Sequence, residues 1–523
     1  MDARIIKGRQ GHLGWRELFQ DSPQAHLGIP NPRDCRALLT LVHISDTHIC
    51  DAQSPARVEF LDRFADPHHP LSQKIGGLVG TYRAQEILTV QVLDSLIRKI
   101  NRIEHAPILG MPIQTVLVTG DVTDNAQSNE LDWFLGLMNG GFVTPDSGNR
   151  SRWEGVGGDL YSPHYWNPHG TPTGELDDYP RALYGFPVIP ELLNAARTPF
   201  EAEGLQHPWL AVHGNHDSLL QGTVRPNLYL TAIAMGARKF YEMNESEALE
   251  TLLQMREVGP ADYPKSTVLP NFEVTPDPQR EFVNEWTWGN VLPTHGDGHG
   301  FTDSHRGAKE KFWRKDFESI SLIALDTVNP HGGWQGSIDI AQFDWLREQL
   351  EISYNRYVVI TSHHPLQDLF NDYTPGGATP RVSRKAIEEL LVKYPHVILW
   401  LAGHTHRNKI QYFGKDLNSG FWQIETASLV DWPQQGRIIE IFSASDGSIG
   451  IASTTLEHDG SVGVIPSKIS LDSRQELAGL SRLLSVNDWQ RRSGKFAIDI
   501  NEGTDLDQNV ILTLPRRIAS LMR

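Results

Sequence analysis

Asp46 and His48 stand two residues apart at the end of an apolar run, residues 39–44. A carboxylate and an imidazole so placed offer one oxygen and one nitrogen ligand of borderline hardness, a pairing that suits a divalent cation. The pair alone is common in solvated loops. Its weight comes from four further segments built the same way: TVLVTGDVTD (residues 115–124), WLAVHGNHD (209–217), YVVITSHHP (357–365) and VILWLAGHTH (397–406). Each is a short apolar, β-branched-rich run that stops at Asp, Asn or His. In open α/β sheets ligands bind beyond the carboxyl ends of the strands. Five such ends converging would build one polar metal site on a rigid base.

The remaining chain has to bring those ends together. Residues 82–103 read as an amphipathic helix with Ile87, Leu88, Val92, Leu96, Ile100 and Ile103 on one face. It returns the chain to the strand at Thr115 as a right-handed β-α-β step. A second helix starts near Asn129, with Leu131, Phe134, Leu135 and Met138 as its core face. Further helices are expected within 247–256, at 340–350 and, capped by Ser383, up to Lys393. Residues 320–327 resume the sheet. After His406, residues 421–428, 436–444 and 448–456 alternate in polarity and predict antiparallel strands of a second sheet.

Two long stretches interrupt this pattern. Residues 140–204 are dense in Gly, Pro, Tyr and Trp. Loops this long inside a compact domain are functional or disordered, and the aromatic density argues for order. They predict a cap in which Tyr161, His164, Tyr165 and Trp166 either face substrate or form the cap's own small core. Residues 218–315 form a second insertion, whose HGDGHG segment (295–300) reads as a Gly-rich turn in preference to a third metal site. The organisation expected is a surface segment (1–36), a catalytic domain (37–460) with insertions at 140–204 and 218–315, and a carboxyl-terminal extension (461–523).

The formal net charge of −17 argues against binding to duplex nucleic acid and to an anionic membrane surface. An anionic substrate would need local positive charge, which bound metal ions supply. No apolar run reaches the length of a membrane span, and the amino terminus lacks the apolar region of a signal peptide, so a cytoplasmic protein is expected. A secreted chain trimmed of its signal would read the same. Cys35 and Cys50 carry no disulfide pattern; a buried free thiol is expected at Cys50. Oligomeric state is not legible.

The ordered set D-x-H, G-D-x-x-D, G-N-H-D, H-H-P and G-H-x-H resembles the calcineurin-like metallophosphoesterase superfamily. The D-A-Q-S-P-A-R run at residues 51–57 is similar to a large bacterial branch of it. The resemblance spans roughly residues 39–406 and leaves the stretches between blocks uncovered. It implies a four-layer α/β/β/α sandwich of two mixed sheets with long inserted caps. It also implies two metal ions, divalent or mixed-valence (Mn, Fe or Zn), about 3.5–4 Å apart, which generate an attacking hydroxide and clamp the phosphoryl group. Carried over block by block, Asp46, His48 and His406 would hold the first metal, Asn215, His363 and His404 the second, and Asp121 both. His363 matches the ligand position of H-H-P, leaving His364 as a substrate contact or a neighbour of the ligands. His216 would be the general acid, oriented by Asp124. Asp217 is expected to cap the turn that follows it.

One departure narrows the substrate. Ser/Thr protein phosphatases carry Arg after the second Asp of the G-D-x-x-D block; this chain has Asn125, with no glycine next. With inserted caps as well, a small phosphodiester or phosphomonoester is expected, the diester slightly favoured. Two other readings compete: a non-catalytic metal-stabilised binding protein, and a different iron- or manganese-dependent reaction on the same scaffold. Retention of His216 and Asp124, which a purely structural site does not require, counts against the first.

Overall fold

A computed structural model describes residues 3–26, 34–75, 79–263 and 270–517. Two six-stranded sheets lie face to face. Numbered along the chain, their strands are β1 (Cys35–Ile44), β2 (Thr115–Val118), β3 (Trp209–Ala211), β4 (Trp313–Asp316), β5 (Ile320–Leu325), β6 (Tyr357–Ser362), β7 (Val397–Ala402), β8 (Lys409–Asp416), β9 (Ser419–Glu425), β10 (Gln435–Ala444), β11 (Ile449–Glu457) and β12 (Val510–Leu514). The first sheet runs β12-β11-β10-β1-β2-β3 and the second β4-β5-β6-β7-β9-β8. The strands that lead into the five Asp-, Asn- and His-bearing blocks pair in parallel: β1, β2 and β3 in one sheet, β6 and β7 in the other. The flanking pairings β10–β1 and β8–β9 are antiparallel, so both sheets are mixed.

The inner strands of the second sheet are apolar because each serves two cores. In β5, Ile320, Leu322 and Ala324 join the core between the sheets, while Ile323 and Leu325 join the core beneath the helices. In β7, Leu399 and Leu401 point one way and Trp400 and Ala402 the other. This is the two-residue alternation of a pleated strand with both faces covered. Helices α1 (Thr89–Asn101) and α2 (Ser128–Asn139) cover the first sheet, with Val92, Leu96, Ile100 and Phe134 in its core. Helices α3 (Ile340–Ile352) and α4 (Arg384–Lys393) cover the second through Leu346, Leu350, Ile387 and Leu391. Asp339 and Ser383 cap α3 and α4 by accepting the amides of Gln342 and Ala386. The architecture is the four-layer α/β/β/α sandwich. No helix among the described residues is long and apolar enough to cross a membrane.

Two expectations are corrected, and the extension after residue 460 is located. The alternating segments after His406 do not share one sheet. β9 pairs in parallel with β7 in the second sheet, whereas β10 and β11 join β1 in the first. Alternation marks a strand without naming its partner. Residues 426–434 cross between the sheets, stitched to each by Thr426 N–H to Ala402 O and Leu429 N–H to Asp46 O, both 3.0 Å. The helix expected from residue 82 begins at Thr89, after a short 3-10 turn at Glu86–Leu88. Finally, residues beyond 460 are built into the sandwich. β12 extends the first sheet, and α5 (Arg474–Ser485) lies on α1, its Arg474 bonded to Asp94 at 3.1 Å. The amino-terminal hairpin (Arg4–Lys7 with Leu18–Asp21) packs Ile5 and Leu18 against Trp432, Leu483 and Ile498.

Residues after α5 form an arm that docks on the first loop among buried carboxyl groups. Gln490 Nε2 donates to Asp62 and Asp66, both at 2.7 Å, and Trp489 Nε1 donates to Asp66 at 2.6 Å. Burial pushes Asp66 up to about 7, and Asp62 and Asp488 are raised as well. A carboxyl group that folding keeps neutral contributes stability below its unfolded pKa near 4; that contribution is lost as pH rises through the folded value. The melting temperature should therefore fall between pH 5 and pH 8, and Asp66→Asn should flatten that slope. An unchanged slope in the variant would assign it to other groups.

Candidate metal centre

The five strand ends meet at the seam between the two sheets, and three of them do so through unfavourable backbone. Asp46 (φ 52°), His48 (43°), Asp121 (50°), His404 (68°) and His406 (56°) all occupy the left-handed region. This costs an L-residue about 1–2 kcal/mol and persists only where the surroundings over-determine it. Two features here do so. Gly120 (φ 87°) passes so close to the neighbouring block that a Cβ would come within 2.9 Å of both Gly214 and His363. Asp217 does not cap the turn after it. Its carboxylate instead accepts the amides of Asp121, Val122, Thr123 and Gly214 at 2.8–3.0 Å, clamping the second block to the third.

All seven residues expected as ligands come to this seam. His48 Nε2 lies 3.2 Å from His406 Nε2, which is 3.3 Å from Asp46 Oδ1. His363 Nε2 lies 3.2 Å from His404 Nδ1. Between these two clusters sits Asp121, whose Oδ2 is 3.1 Å from His363 Nε2 and 3.9 Å from His48 Nε2. Asn215 donates Nδ2–H to Gly222 O at 3.1 Å, but its Oδ1 is buried with no hydrogen-bond partner among the described residues. Facing imidazole nitrogens, buried carboxylates and an orphaned amide oxygen form a donor set that fits cations, since buried lone pairs otherwise find hydrogen-bond donors. With no thiolate among them the set suits Mn, Fe or Zn. The electrostatics agree. Burial opposes a charge on His363, yet Asp121 and Asp46 pull it up to about 9, so the site stabilises positive charge.

Outer partners aim the ring nitrogens. Asp124 Oδ1 accepts from His48 Nδ1 at 3.0 Å, Asp431 Oδ2 from His406 Nδ1 at 2.6 Å, and Thr119 O from His363 Nδ1 at 2.8 Å. Each contact leaves Nε2 as the lone-pair nitrogen facing inward. Both carboxylates are themselves held by arginines. Arg57, fully buried and paired with Glu59 (3.1 Å) and Glu86 (2.9 Å), also bonds Asp124. Arg83 meets Asp431 at 3.0 Å, and Arg491 bonds the same carboxylate. Asp431 and Arg491 carried no signal in the sequence. Arg57 lies in the D-A-Q-S-P-A-R run, which marked it without showing its work.

His216 and the expected substrate contacts need correction. The Asp124 carboxylate serves His48 and Arg57; it is the main-chain oxygen of Asp124 that takes His216 Nδ1–H, at 2.7 Å, while its carboxylate lies 3.6 Å away. Burial lowers His216 to about 4 against the pull of Asp121. His364 is fully buried, with Nδ1 on Thr327 (2.8 Å) and Nε2 on Trp334 O (3.0 Å), so neither nitrogen is free for substrate. Tyr165 and Trp166 are buried and bonded to Tyr241 O and Pro187 O, and the hydroxyl of Tyr161 is held by Leu176 O. His164 packs on Tyr179. None of these four lines the cavity over the centre. The 140–204 segment packs away from it, Trp166 and Phe186 joining Leu477 and Leu480 of α5. That cavity, of about 590 Å³, is walled by the second insertion (Leu220, Val224, Leu252, Met255) and by the arm after α5 (Arg491, Lys495, Phe496). His299 of the HGDGHG turn stacks on Trp209, with ring centroids 3.5 Å apart. Cys50 is a buried free thiol beside Arg57, 2.8 Å away.

Comparison with known proteins adds an independent line. Residues 156–408 match the family model of the calcineurin-like phosphoesterases. That range holds Asn215, His216, His363, His404 and His406, while Asp46, His48, Asp121 and Asp124 precede it. No curated protein matches. Among solved structures, purple acid phosphatase PPD1 of yellow lupin (Lupinus luteus) aligns at 9% identity with a TM-score of 0.31, covering 86% of this chain and 55% of the lupin chain. This chain thus spans little more than half that protein's length. GAP50, the anchor in the inner membrane complex of Plasmodium, aligns at 9% identity and TM-score 0.23, covering 78% of this chain and 85% of that one.

Asp431→Asn should weaken metal binding about 10–100-fold, the usual effect of removing an outer carboxylate from a ligating histidine. Calorimetric titration of metal-free protein with Mn or Zn, alongside a far-ultraviolet spectrum to verify folding, measures this. Unchanged affinity in a folded variant would limit Asp431 to docking Arg83 and Arg491.

Proposed function

We propose that the chain is a calcineurin-like phosphoesterase, whose family model residues 156–408 match, and that it hydrolyses a small organic phosphoester at the seam site. The observation that carries this is the meeting of two imidazole pairs, each 3.2 Å apart, with Asp121 between them and Asn215 Oδ1 unpartnered. Asp46, His48 and His406 would hold one metal ion, Asn215, His363 and His404 a second, and Asp121 both. Such a pair, when bound, supplies a nucleophile at neutral pH and neutralises charge on the phosphoryl oxygens. The chain's part is to hold the ligands rigid through strained backbone and outer carboxylates, so that little reorganisation is needed on binding substrate.

His216 is the proton donor to the leaving group. Its Nδ1–H is anchored on the Asp124 carbonyl, so the donor form is the imidazolium with the second proton on Nε2; Asp121 and Asp124 favour that form, burial opposes it, and His216 lines the cavity. Asp121 Oδ1 accepts the His216 amide at 2.8 Å, tying donor and centre into one unit. Gly222 (φ 67°) lies against both Asn215 and His216, where any side chain would displace them. The walls drawn from the second insertion and the arm suit a small substrate better than a folded protein. Between ester classes the diester is slightly favoured.

Metal-reconstituted protein should contain about two equivalents of metal per chain by elemental analysis. It should release p-nitrophenol faster from bis- than from mono-(p-nitrophenyl) phosphate; the reverse order would make it a monoesterase. A folded sample that takes up only a trace of metal and turns over neither ester would sink the proposal.

His216→Ala should retain metal content, because His216 is not a proposed ligand, and lose turnover by about 10²–10⁴ on alkyl esters. On nitrophenyl esters the loss should be much smaller, since nitrophenolate leaves without a proton. Equal losses on both would remove His216 from the acid role.

A further inference from the structure

The cavity over the metal centre is cationic in a protein that is not. The chain has 64 acidic and 47 basic residues. Yet beyond the seam residues, the charged side chains lining the cavity are Arg83, Arg256, Arg407, Arg491 and Lys495 against Asp368 alone, among the described residues. Arg83 and Arg491 are committed to Asp431. Arg407 and Lys495 are not so engaged: neither forms an ion pair among the described residues.

Arg407 donates Nη2–H to the main-chain oxygen of Lys495 at 3.1 Å, while its Nε is buried without a hydrogen-bond partner among the described residues. Glu425 acts on Arg407 only through space, its oxygens being taken up by Thr405, Gln367, Gln411 and Gln423. Both cations lie on the ring of Phe496, at 5.9 Å for Arg407 and 5.0 Å for Lys495. An aromatic ring attracts each cation without neutralising it. An anion seated beside them would give both cations a direct partner. Arg407, Lys495 and Phe496 line the same cavity as Asp121, His404 and His406, so this subsite adjoins the centre.

We propose that Arg407 and Lys495, held by Phe496, bind a second phosphoryl group of the substrate, one that is not hydrolysed. The proposal rests on the hydrolytic reading above and deepens it. The substrate class becomes an organic phosphoester with a further phosphate on its body. Arginine suits that group because its planar fork matches phosphate oxygens. The wall of Leu220, Val224, Leu252 and Met255 takes the organic part, in a cavity of about 590 Å³, within the usual size range for an organic ligand.

Two probes differing only in a remote phosphate test it on metal-loaded full-length protein: thymidine 5′-(p-nitrophenyl phosphate) and its 3′-phosphorylated form. Wild-type kcat/KM should be about tenfold higher for the 3′-phosphorylated ester, chiefly through KM. Arg407→Gln and Lys495→Gln should each bring the ratio towards one. Lys495 is exposed, so its variant is not expected to disturb folding. Calorimetry with thymidine 3′,5′-bisphosphate and thymidine 5′-monophosphate reads the same subsite without turnover. Equal binding of the two, or a preference that survives both substitutions, overturns the subsite. A preference in binding that both substitutions abolish, without hydrolysis of either ester, upholds the subsite and overturns the hydrolytic reading instead.

Discussion

Carboxylates and imidazoles from five loops are pressed together in a largely buried seam at the floor of a cavity, and the rest of the molecule answers to that crowding. Lone pairs aimed at one another repel, and the residues that aim them are bent into left-handed backbone at Asp46, His48, Asp121, His404 and His406. Neither cost is met locally. It is met by strands buried on both faces, whose alternate side chains belong to two separate cores, so that the ends cannot move without unpacking both. The Asp217 carboxylate adds a local lock, holding four amides of two adjacent blocks in one register.

A ring of arginines surrounds this arrangement, drawn from segments far apart in the chain. Arg57 holds Asp124, which aims His48; Arg83 and Arg491 hold Asp431, which aims His406. A buried carboxylate needs a partner, and removing either member leaves a costly uncompensated charge. The D-A-Q-S-P-A-R loop and the arm after α5 thus support the centre without touching it. The arm does two things at once. It carries Arg491 to the back of His406 and places Lys495 and Phe496 at the cavity wall. Its docking and the shape of the cavity are therefore linked through one segment.

The same linkage explains the division between the two insertions. Residues 140–204 spend their aromatic side chains on a core shared with α5 and so buttress the base of the arm. Residues 218–263 reach over the seam and form the opposite wall. Length is alike suggestive for both; which of them covers the site follows from where each packs.

The sequence by itself determined the five strand ends that carry Asp, Asn and His, the seven residues brought together there, His216 beside them and the mixed α/β architecture. These are local facts: a two-residue alternation, a capped helix or a His placed just past an apolar run is written within ten residues. What only the tertiary structure decided involves partners with no fixed separation along the chain. Asp431 lies in a crossing between sheets, and Arg491 reaches it from 60 residues further on. Periodicity says which face a side chain takes and is silent on what lies opposite. For that reason Asp124 could be read as a partner for an imidazole but not as the partner of His48, and His364 could be set apart from His363 without revealing that Thr327 and Trp334 occupy it. The sheet assignment of β9, β10 and β11 was undetermined on the same ground, since hydrogen-bonded pairing is a property of two segments and the pattern of one does not contain it.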